Sequence, residues 1–144
     1  MATFRVELPL RFGDCDPSGI AYFPAYLNLL NSVVEEFWSS LGHPWTQQIN
    51  EQSRGTPTAH LSCDFVQPSR FGDRLLFELR VVRIGESSLE LAHRVVCEGE
   101  VRWTAKQVLV STDINTGVSI PWSCDVRVAL QKFMEEEDAY SSAA

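Results

Sequence analysis

The chain has 144 residues, a net charge of −7, and 44% hydrophobic against 22% charged residues, values typical of one soluble globular domain over residues 1–144. The acidic balance disfavours nucleic acid as a partner, because phosphate backbones select basic surfaces. Apolar stretches are too short for a membrane span and the N-terminus lacks a secretory pattern, so we expect a cytoplasmic protein. Four cysteines without a CxxC pair favour reduced thiols over a zinc site or a disulfide framework.

The first predicted element is a strand over residues 4–12, where apolar and polar side chains alternate. A turn-rich segment, residues 13–19, follows this strand. Pro24 suits a first helical turn and opens a predicted helix that runs to about Leu41. Apolar side chains cover so much of this helix that the rest of the fold must enclose it.

The remainder of the chain predicts mainly strands. The four further predicted strands are Thr58–Gln67, Arg74–Ile84, Ser88–Cys97 and Arg102–Ile114. A weak helix is expected from Asp125 to about Glu137, and the acidic run at 135–138 is expected to be solvated. Short turns between successive strands indicate an antiparallel meander. One long apolar helix and such a meander predict an α+β fold, with a five-stranded antiparallel sheet curled around the helix.

The densest polar cluster is the turn Asp14-Cys15-Asp16-Pro17-Ser18-Gly19. A calcium loop is disfavoured, because Ala25 stands where the bidentate glutamate is needed. An ordinary turn, in which Asp caps and Gly19 supplies a positive φ, explains the composition. A catalytic turn explains it as well, since Asp16 is ionised at neutral pH beside a helix N-terminus that can hold a developing oxyanion.

The segment from Arg11 to Tyr26, RFGDCDPSGIAYFPAY, resembles the signature of the 4-hydroxybenzoyl-CoA thioesterase family of hotdog-fold hydrolases. Looser matches follow at Gly55-Thr56-Pro57, Phe71-Gly72-Asp73 and Ser87-Ser88. The resemblance implies a hotdog fold that hydrolyses an aryl- or acyl-CoA thioester to the free acid and CoA, with neither metal nor redox cofactor. It also implies a homodimer or homotetramer with sites between subunits, and the exposed edge expected at the strand 58–67 is our predicted pairing edge.

The same resemblance assigns roles to residues of the turn and the helix start. Asp16 matches the catalytic carboxylate, acting as nucleophile or as general base for water. Phe23 matches the residue whose backbone N–H polarises the thioester carbonyl. Asp14, Gly19 and Tyr26 match positions that shape the turn.

Two departures from the family pattern leave the acyl group open. Asn31 stands where hydroxybenzoyl-specific members are acidic, and its amide can still hydrogen-bond a ring hydroxyl. The turn at residues 84–88 lacks the basic residues of that type. A short-chain aliphatic acyl-CoA hydrolase and a noncatalytic acyl-CoA-binding or partner-binding module therefore remain alternatives. Charge and chain neighbourhood suggest other residues for the CoA thioester, which are Arg83, Ser88, Arg94, Arg102 and Lys106.

Other reactive side chains are weaker candidates. Cys15 has no histidine near it in sequence, so a catalytic thiol is disfavoured. His93 falls on the apolar face of its strand and is predicted to be a hydrogen-bonded core residue. One strand face carries three alternating polar residues, for which a pocket wall or subunit contact is favoured over a catalytic triad; they are His60, Ser62 and Asp64.

Overall fold

The computed structural model describes residues 3–134. In chain order its elements are β1 (Thr3–Pro9), α1 (Phe23–Ser40), α2 (Trp45–Asn50), β2 (Arg54–Gly55), β3 (Thr58–Phe65), β4 (Arg74–Ile84), β5 (Ser88–Cys97), β6 (Glu100–Val110), β7 (Thr112–Asp113) and α3 (Cys124–Gln131). Five strands form an antiparallel sheet in the order β1-β4-β5-β6-β3, and β2 pairs separately with β7. Among the described residues, no helix is both long and apolar enough to cross a membrane.

The core lies between α1 and one face of the five-stranded sheet. Odd-numbered residues of β5 and β6, and of β4 up to Val81, face the helix, and the even-numbered residues point to the opposite face, here called the outer face. The register of β4 shifts after Val81, so Arg83 lies opposite Glu90 on the outer face. The buried residues of α1 recur at helical spacing and are Ala25, Tyr26, Leu30, Val33, Val34, Phe37 and Trp38. The predicted α+β architecture, with five antiparallel strands and one long helix, is confirmed.

The first strand is shorter than predicted. β1 ends at Pro9, which has no N–H to continue the ladder. Residues 12–14 form a single 3₁₀ turn, and the Asp14 carboxylate accepts a hydrogen bond from the Arg11 N–H at 2.9 Å. The ring of Phe12, predicted to share the buried strand face, is therefore 79% exposed.

Other boundaries also differ from the sequence prediction. The short elements α2, β2 and β7 were not anticipated, and the last long strand begins at Glu100 and ends at Val110 instead of running from 102 to 114. It stops because the chain beyond Ser111 pairs with β2. The terminal helix α3 lies within the predicted range 125–137 apart from its first residue, and residues from 135 onward are outside the described part of the chain.

The sheet has two edges, formed by β1 and β3. In the described chain β3 pairs only with β6, which leaves its other side open. Most side chains of β3 are exposed, as are those of the residues that follow it up to Pro68. The segment predicted to be a pairing edge is thus at an edge of the sheet.

Candidate active site

The turn that carries Asp16 is docked by main-chain hydrogen bonds on residues 66–73, here called the β3–β4 loop. The N–H of Ala21 donates to the carbonyl of Ser69 at 2.8 Å, and the N–H of Phe71 donates to the carbonyl of Gly19 at 3.0 Å. The turn donates one of these bonds and the loop donates the other. Main-chain hydrogen bonds therefore dock the turn on the loop.

Tyr26 contacts the same loop from α1. Its ring is 5% exposed and packs on Phe65 and Trp103, with ring centroids 5.4 and 5.1 Å away. Its hydroxyl oxygen accepts a hydrogen bond from the N–H of Ser69 at 3.2 Å. A residue of α1 thus reaches the peptide group next to the one that anchors the turn.

Asp16 is an exposed carboxylate with one oxygen engaged. Its Oδ1 accepts hydrogen bonds from the hydroxyl of Ser18 and from the Ser18 N–H, the latter at 2.9 Å. These bonds stabilise the charged form, the hydroxyl contributing most, and they lower the pKa of Asp16 below its ordinary value. The backbone N–H of Ile20 also stabilises the charge, and the carboxylate remains exposed to solvent and ionised.

Gly19 closes the turn with a positive φ of 79°. Its N–H donates to the carbonyl of Asp16 at 2.9 Å, which reverses the chain directly behind the carboxylate. A side chain at this φ is disfavoured sterically, so the residue type follows from the backbone. Asp14 supports the other side of the turn, since its carbonyl accepts from the N–H of Tyr22 at 3.0 Å.

The start of α1 presents a free backbone donor. The first N–H groups of a helix have no partner within the helix. Pro24 has no N–H, and the N–H of Ala25 donates to Tyr22 at 2.8 Å. The N–H of Phe23 has no acceptor within residues 3–134, and it lies at the positive end of the helix dipole. The site combines a carboxylate and a free main-chain donor a few residues apart.

Two hollows adjoin the turn. The first, the turn hollow, has a volume of about 390 Å³ and is lined by Phe12, Cys15, Asp16, Pro17, Gly19 and Phe71. The second, the aromatic hollow, has a volume of about 320 Å³ and is lined by Ile20, Ala21, Phe23, Tyr26, Phe65, Val66, Gln67 and Pro68. Consecutive residues of one turn line both hollows, so a molecule that spans them meets Asp16 and the N-terminus of α1 together.

The other candidate nucleophiles lack the environment or the hydrogen-bonded partners that catalysis requires. Burial, followed by the nearby carboxylates of Asp14 and Asp16, raises the pKa of the Cys15 thiol and disfavours its reactive thiolate. His60, Ser62 and Asp64 lie exposed on β3, and no hydrogen bond joins them in the described chain. They form a polar strand face, as the sequence predicts.

The cations expected at the CoA nucleotide are on the outer face, and three of the four contact carboxylates. Arg94 contacts Glu78 at 2.8 Å and Arg102 contacts Asp73 at 2.6 Å, with side chains 11% and 10% exposed. Arg83 is exposed and 3.4 Å from the carboxylate of Glu90. The ammonium of Lys106 is exposed and makes no ion pair within residues 3–134.

Arg102 has a structural contact that the sequence did not indicate. Its Nη1 donates to the Asp73 carboxylate and, at 3.3 Å, to the carbonyl of Pro68. Both acceptors belong to the β3–β4 loop. Burial opposes ionisation of Asp73, but hydrogen bonds from the Arg70 N–H and from Arg102 leave its pKa below the ordinary value. A buried guanidinium thus holds the loop on which the Asp16 turn rests.

The remaining predicted residues lie away from the turn. Ser88 begins β5, and its carbonyl accepts a hydrogen bond from the indole of Trp122 at 2.9 Å. Asn31 is exposed on α1, two turns beyond Phe23, where it lines a third hollow with Thr58 of β3. The structure therefore brings Asp16, Gly19, Phe23 and Tyr26 together and places Asn31 further along the same helix.

Comparisons with known proteins identify the family. Residues 10–130 match the thioesterase-like superfamily. A 1,4-dihydroxy-2-naphthoyl-CoA hydrolase from Synechocystis sp. is 31% identical over 101 residues, which cover 70% of this chain and 69% of the relative. A 4-hydroxybenzoyl-CoA thioesterase from Pseudomonas sp. is 32% identical over 95 residues, which cover 65% and 67% of the two chains.

Solved structures share the fold. A 1,4-dihydroxy-2-naphthoyl-CoA thioesterase from Synechocystis superposes with a TM-score of 0.84 at 21% identity, over 92% of this chain and 98% of that one. A variant of 4-hydroxybenzoyl-CoA thioesterase in complex with 4-hydroxybenzoyl-CoA gives 0.82 at 24% identity, over 90% and 99%. The chain belongs to the thioesterase-like superfamily and is a thioester hydrolase of the hotdog fold.

Proposed function

We propose that the protein hydrolyses an aryl-CoA thioester to the free aromatic acid and CoA, with Asp16 acting on the thioester and water as co-substrate. The observation that carries this proposal is the arrangement at the turn. An exposed, ionised carboxylate is followed seven residues later by the free N–H of Phe23. A reacting carbonyl between the two hollows meets both groups.

The Phe23 N–H is the group suited to polarise the carbonyl. It points from a helix N-terminus, so its own partial charge and the helix dipole both favour a developing oxyanion. Because Pro24 has no N–H, the residue after Phe23 offers the carbonyl no second donor.

Two routes use the same carboxylate. In the first, Asp16 Oδ2 attacks the carbonyl carbon, the C–S bond breaks, CoA leaves as the thiolate, and water hydrolyses the resulting anhydride. In the second, Oδ2 takes a proton from a water molecule as that water attacks the carbonyl, and the thiolate leaves when the tetrahedral intermediate collapses. Either route consumes one water and releases one acid and one thiol.

An aromatic acyl group is favoured over an aliphatic one. The aromatic hollow brings the rings of Phe23, Tyr26 and Phe65 to the start of α1, where offset or edge-on contacts with a substrate ring are available. The relatives from Synechocystis sp. and Pseudomonas sp. are named for hydrolysis of 1,4-dihydroxy-2-naphthoyl-CoA and 4-hydroxybenzoyl-CoA. A short-chain aliphatic acyl-CoA is the second candidate, because Asn31 lacks the charge found in hydroxybenzoyl-specific members.

Thiol release measures the reaction directly. We expect 4-hydroxybenzoyl-CoA and 1,4-dihydroxy-2-naphthoyl-CoA to be cleaved with a higher kcat/KM than butyryl-CoA. Asp16→Asn is expected to lower kcat by about 10²-fold or more, the scale of a lost base or nucleophile. Asp125→Asn, at an exposed position in the first turn of α3, is the matched control and should retain activity.

The outcomes separate the parts of the proposal. No thiol release from any aryl-CoA would overturn the substrate class, and faster cleavage of butyryl-CoA would favour the aliphatic candidate. A folded Asp16→Asn variant with kcat within a few-fold of the unmodified protein would remove Asp16 from the mechanism.

A further inference from the structure

A polar pair is buried where the sheet faces α1. The helix-facing positions of β5 and β6 are otherwise apolar, but His93 is 2% exposed and Gln107 is 6% exposed. The predicted core histidine is confirmed, and its Nε2 lies 2.8 Å from the Oε1 of Gln107. Burying polar groups is costly unless they are hydrogen-bonded, and this bond offsets that cost.

The hydrogen bonds of the pair run in one direction. A carbonyl oxygen only accepts, so the His93 Nε2 carries the proton that it donates to Gln107. Burial lowers the pKa of His93 to about 4, so the ring is neutral at pH 7. The amide nitrogen of Gln107 then donates to the Oγ1 of Thr58 at 2.9 Å. This series of hydrogen bonds runs from His93 on β5 through Gln107 on β6 to Thr58 on β3, at the open edge of the sheet.

Thr58 forms part of a third hollow. This edge hollow has a volume of about 280 Å³, lies between α1 and the β3 edge, and is lined by Leu27, Asn28, Leu30, Asn31, Thr58, Leu61 and Gln107. Because the Thr58 oxygen already accepts from Gln107, its own proton remains to be donated. No acceptor for that proton lies within residues 3–134.

The edge hollow lies on the same side of α1 as the reacting end of the site. Residues 23, 27 and 31 are spaced four apart and therefore share one helix face. Leu27, at the near side of the hollow, is one turn from Phe23, about 6 Å along the helix axis. We therefore expect a benzoyl- or naphthoyl-sized group whose carbonyl meets the Phe23 N–H to extend along α1 toward this hollow.

We propose that the chain His93–Gln107–Thr58 makes the wall of the edge hollow a hydrogen-bond donor, and that it selects acyl groups carrying an oxygen at the end remote from the thioester. In this proposal Thr58 contacts the acyl group, while Gln107 and His93 are positioning residues that act through it. The inference rests on the proposed aryl-CoA hydrolysis and specifies which aryl groups are preferred.

The test uses two substrates that differ by one oxygen, 4-hydroxybenzoyl-CoA and benzoyl-CoA. We expect the unmodified protein to favour the hydroxylated substrate in kcat/KM by about tenfold or more, since a site that pairs with a polar group rejects the analogue lacking it. Thr58→Val removes the hydroxyl at nearly constant shape and should reduce this preference about tenfold. Thr58→Ser should restore it.

The positioning residues give a second readout. Gln107→Leu and His93→Leu are expected to reduce the preference as well, although neither residue is proposed to contact the acyl oxygen. The kcat/KM for benzoyl-CoA should stay within about threefold, which also reports a folded site. Thr104→Val, on the outer face of β6, is the matched control and should leave the preference unchanged.

Each outcome decides between the proposals. Equal use of the two substrates by the unmodified protein, or an unchanged preference in Thr58→Val, overturns the inference while the thioesterase proposal stands. A loss in Thr58→Val without a loss in a folded Gln107→Leu overturns the positioning role. Thr58 is exposed, so its two variants carry the test if the core variants do not fold. Absence of thiol release from both substrates contradicts the proposed function itself.

Discussion

The guanidinium of Arg102 and the carboxylate of Asp73 meet at 2.6 Å beneath the β3–β4 loop. Arg102 reaches the loop from β6, and Asp73 is the last residue before β4. Asp73 also receives the N–H of Arg70 at 2.9 Å, and its own carbonyl accepts from the N–H of Leu10 at 2.7 Å. The ion pair therefore connects the sheet to the segment that enters the Asp16 turn.

Removal of this ion pair should lower kcat and leave substrate binding nearly unchanged. Arg102→Gln leaves the Asp73 carboxylate without its charged partner, which is worth about 2 kcal/mol for a largely buried hydrogen bond to a charge. We expect a Tm lower by several degrees and a several-fold lower kcat, with KM nearly unchanged. Thermal melts and steady-state kinetics measure the two effects.

Arg94→Gln is the control for that change, since Arg94 is equally buried and also paired with a carboxylate, Glu78. It should lower Tm and leave kcat intact, because Glu78 does not contact the turn. A higher KM with unchanged kcat in Arg102→Gln would instead make Arg102 a substrate contact.

Gly19→Ala should damage the site beyond its effect on stability. At a φ of 79° an alanine costs about 1–2 kcal/mol, and relief of that strain displaces the peptide behind Asp16. Gly42→Ala, at a φ of 85° just after α1, has the same kind of backbone strain at the opposite end of the helix from the site. Both variants should show a similar decrease in Tm, but only Gly19→Ala should show a lower kcat. Equal activity of the two would show that the turn tolerates the displacement.

The acid limit of activity should depend on Ser18. The folded pKa of Asp16 is lowered, so the active carboxylate is present above that pKa and is lost as pH falls through it. Ser18→Ala removes the largest stabilising contact, which raises the pKa back toward 3.8. The acid limb of kcat/KM is expected to move to higher pH. Circular dichroism over the same range distinguishes this effect from unfolding, and Ser32→Ala, exposed on α1, should show no shift.

The CoA nucleotide is predicted to bind through the exposed cations Arg83 and Lys106. Arg83→Gln and Lys106→Gln should raise KM for a full CoA thioester with little change in kcat, because the nucleotide is remote from the carbonyl. The KM for a pantetheine thioester, which lacks the nucleotide, should not change. Lys132→Gln, at an exposed lysine after α3, is the control. An unchanged KM for CoA in both variants would place the phosphates elsewhere.

The open edge of β3 predicts a homodimer or a larger homo-oligomer. Unpaired N–H and C=O groups along an edge strand favour pairing with another copy. Light scattering should therefore give at least twice the 16.2 kDa of one chain. Ser62→Glu, near the middle of β3, brings two carboxylates together in an antiparallel pair and should weaken it. Ser39→Glu, exposed on α1, should not. A mass of one chain at micromolar concentration contradicts the prediction.

Local periodicity accounts for the parts of the fold that could be predicted. The strands Arg74–Ile84 and Ser88–Cys97 have the predicted boundaries, and α1 is within one residue at each end. These elements are buried on one side, so their apolar residues recur in the sequence with strand alternation or helical spacing. The short pair β2 and β7 could not be read in this way, since two residues carry no periodicity.

Site residues that are close in sequence could be predicted, and pairs that are far apart in sequence could not. Asp16, Gly19 and Phe23 lie within eight residues, so a single turn could be recognised. Arg102 and Asp73 are 29 positions apart, and Gln107 and Thr58 are 49 apart. Only the register of the sheet brings such pairs together. Charge and chain neighbourhood predict Arg102 as a ligand residue, whereas its side chain contacts the β3–β4 loop.

The main-chain bonds between the turn and the β3–β4 loop have an evolutionary consequence. Peptide groups are common to nearly every residue type, so these bonds survive most substitutions on either side of them. Side chains around the acyl group are then free to change one at a time while the reaction centre stays in place. Such a scaffold can acquire a new substrate through ordinary drift, without first losing the ability to cleave a thioester.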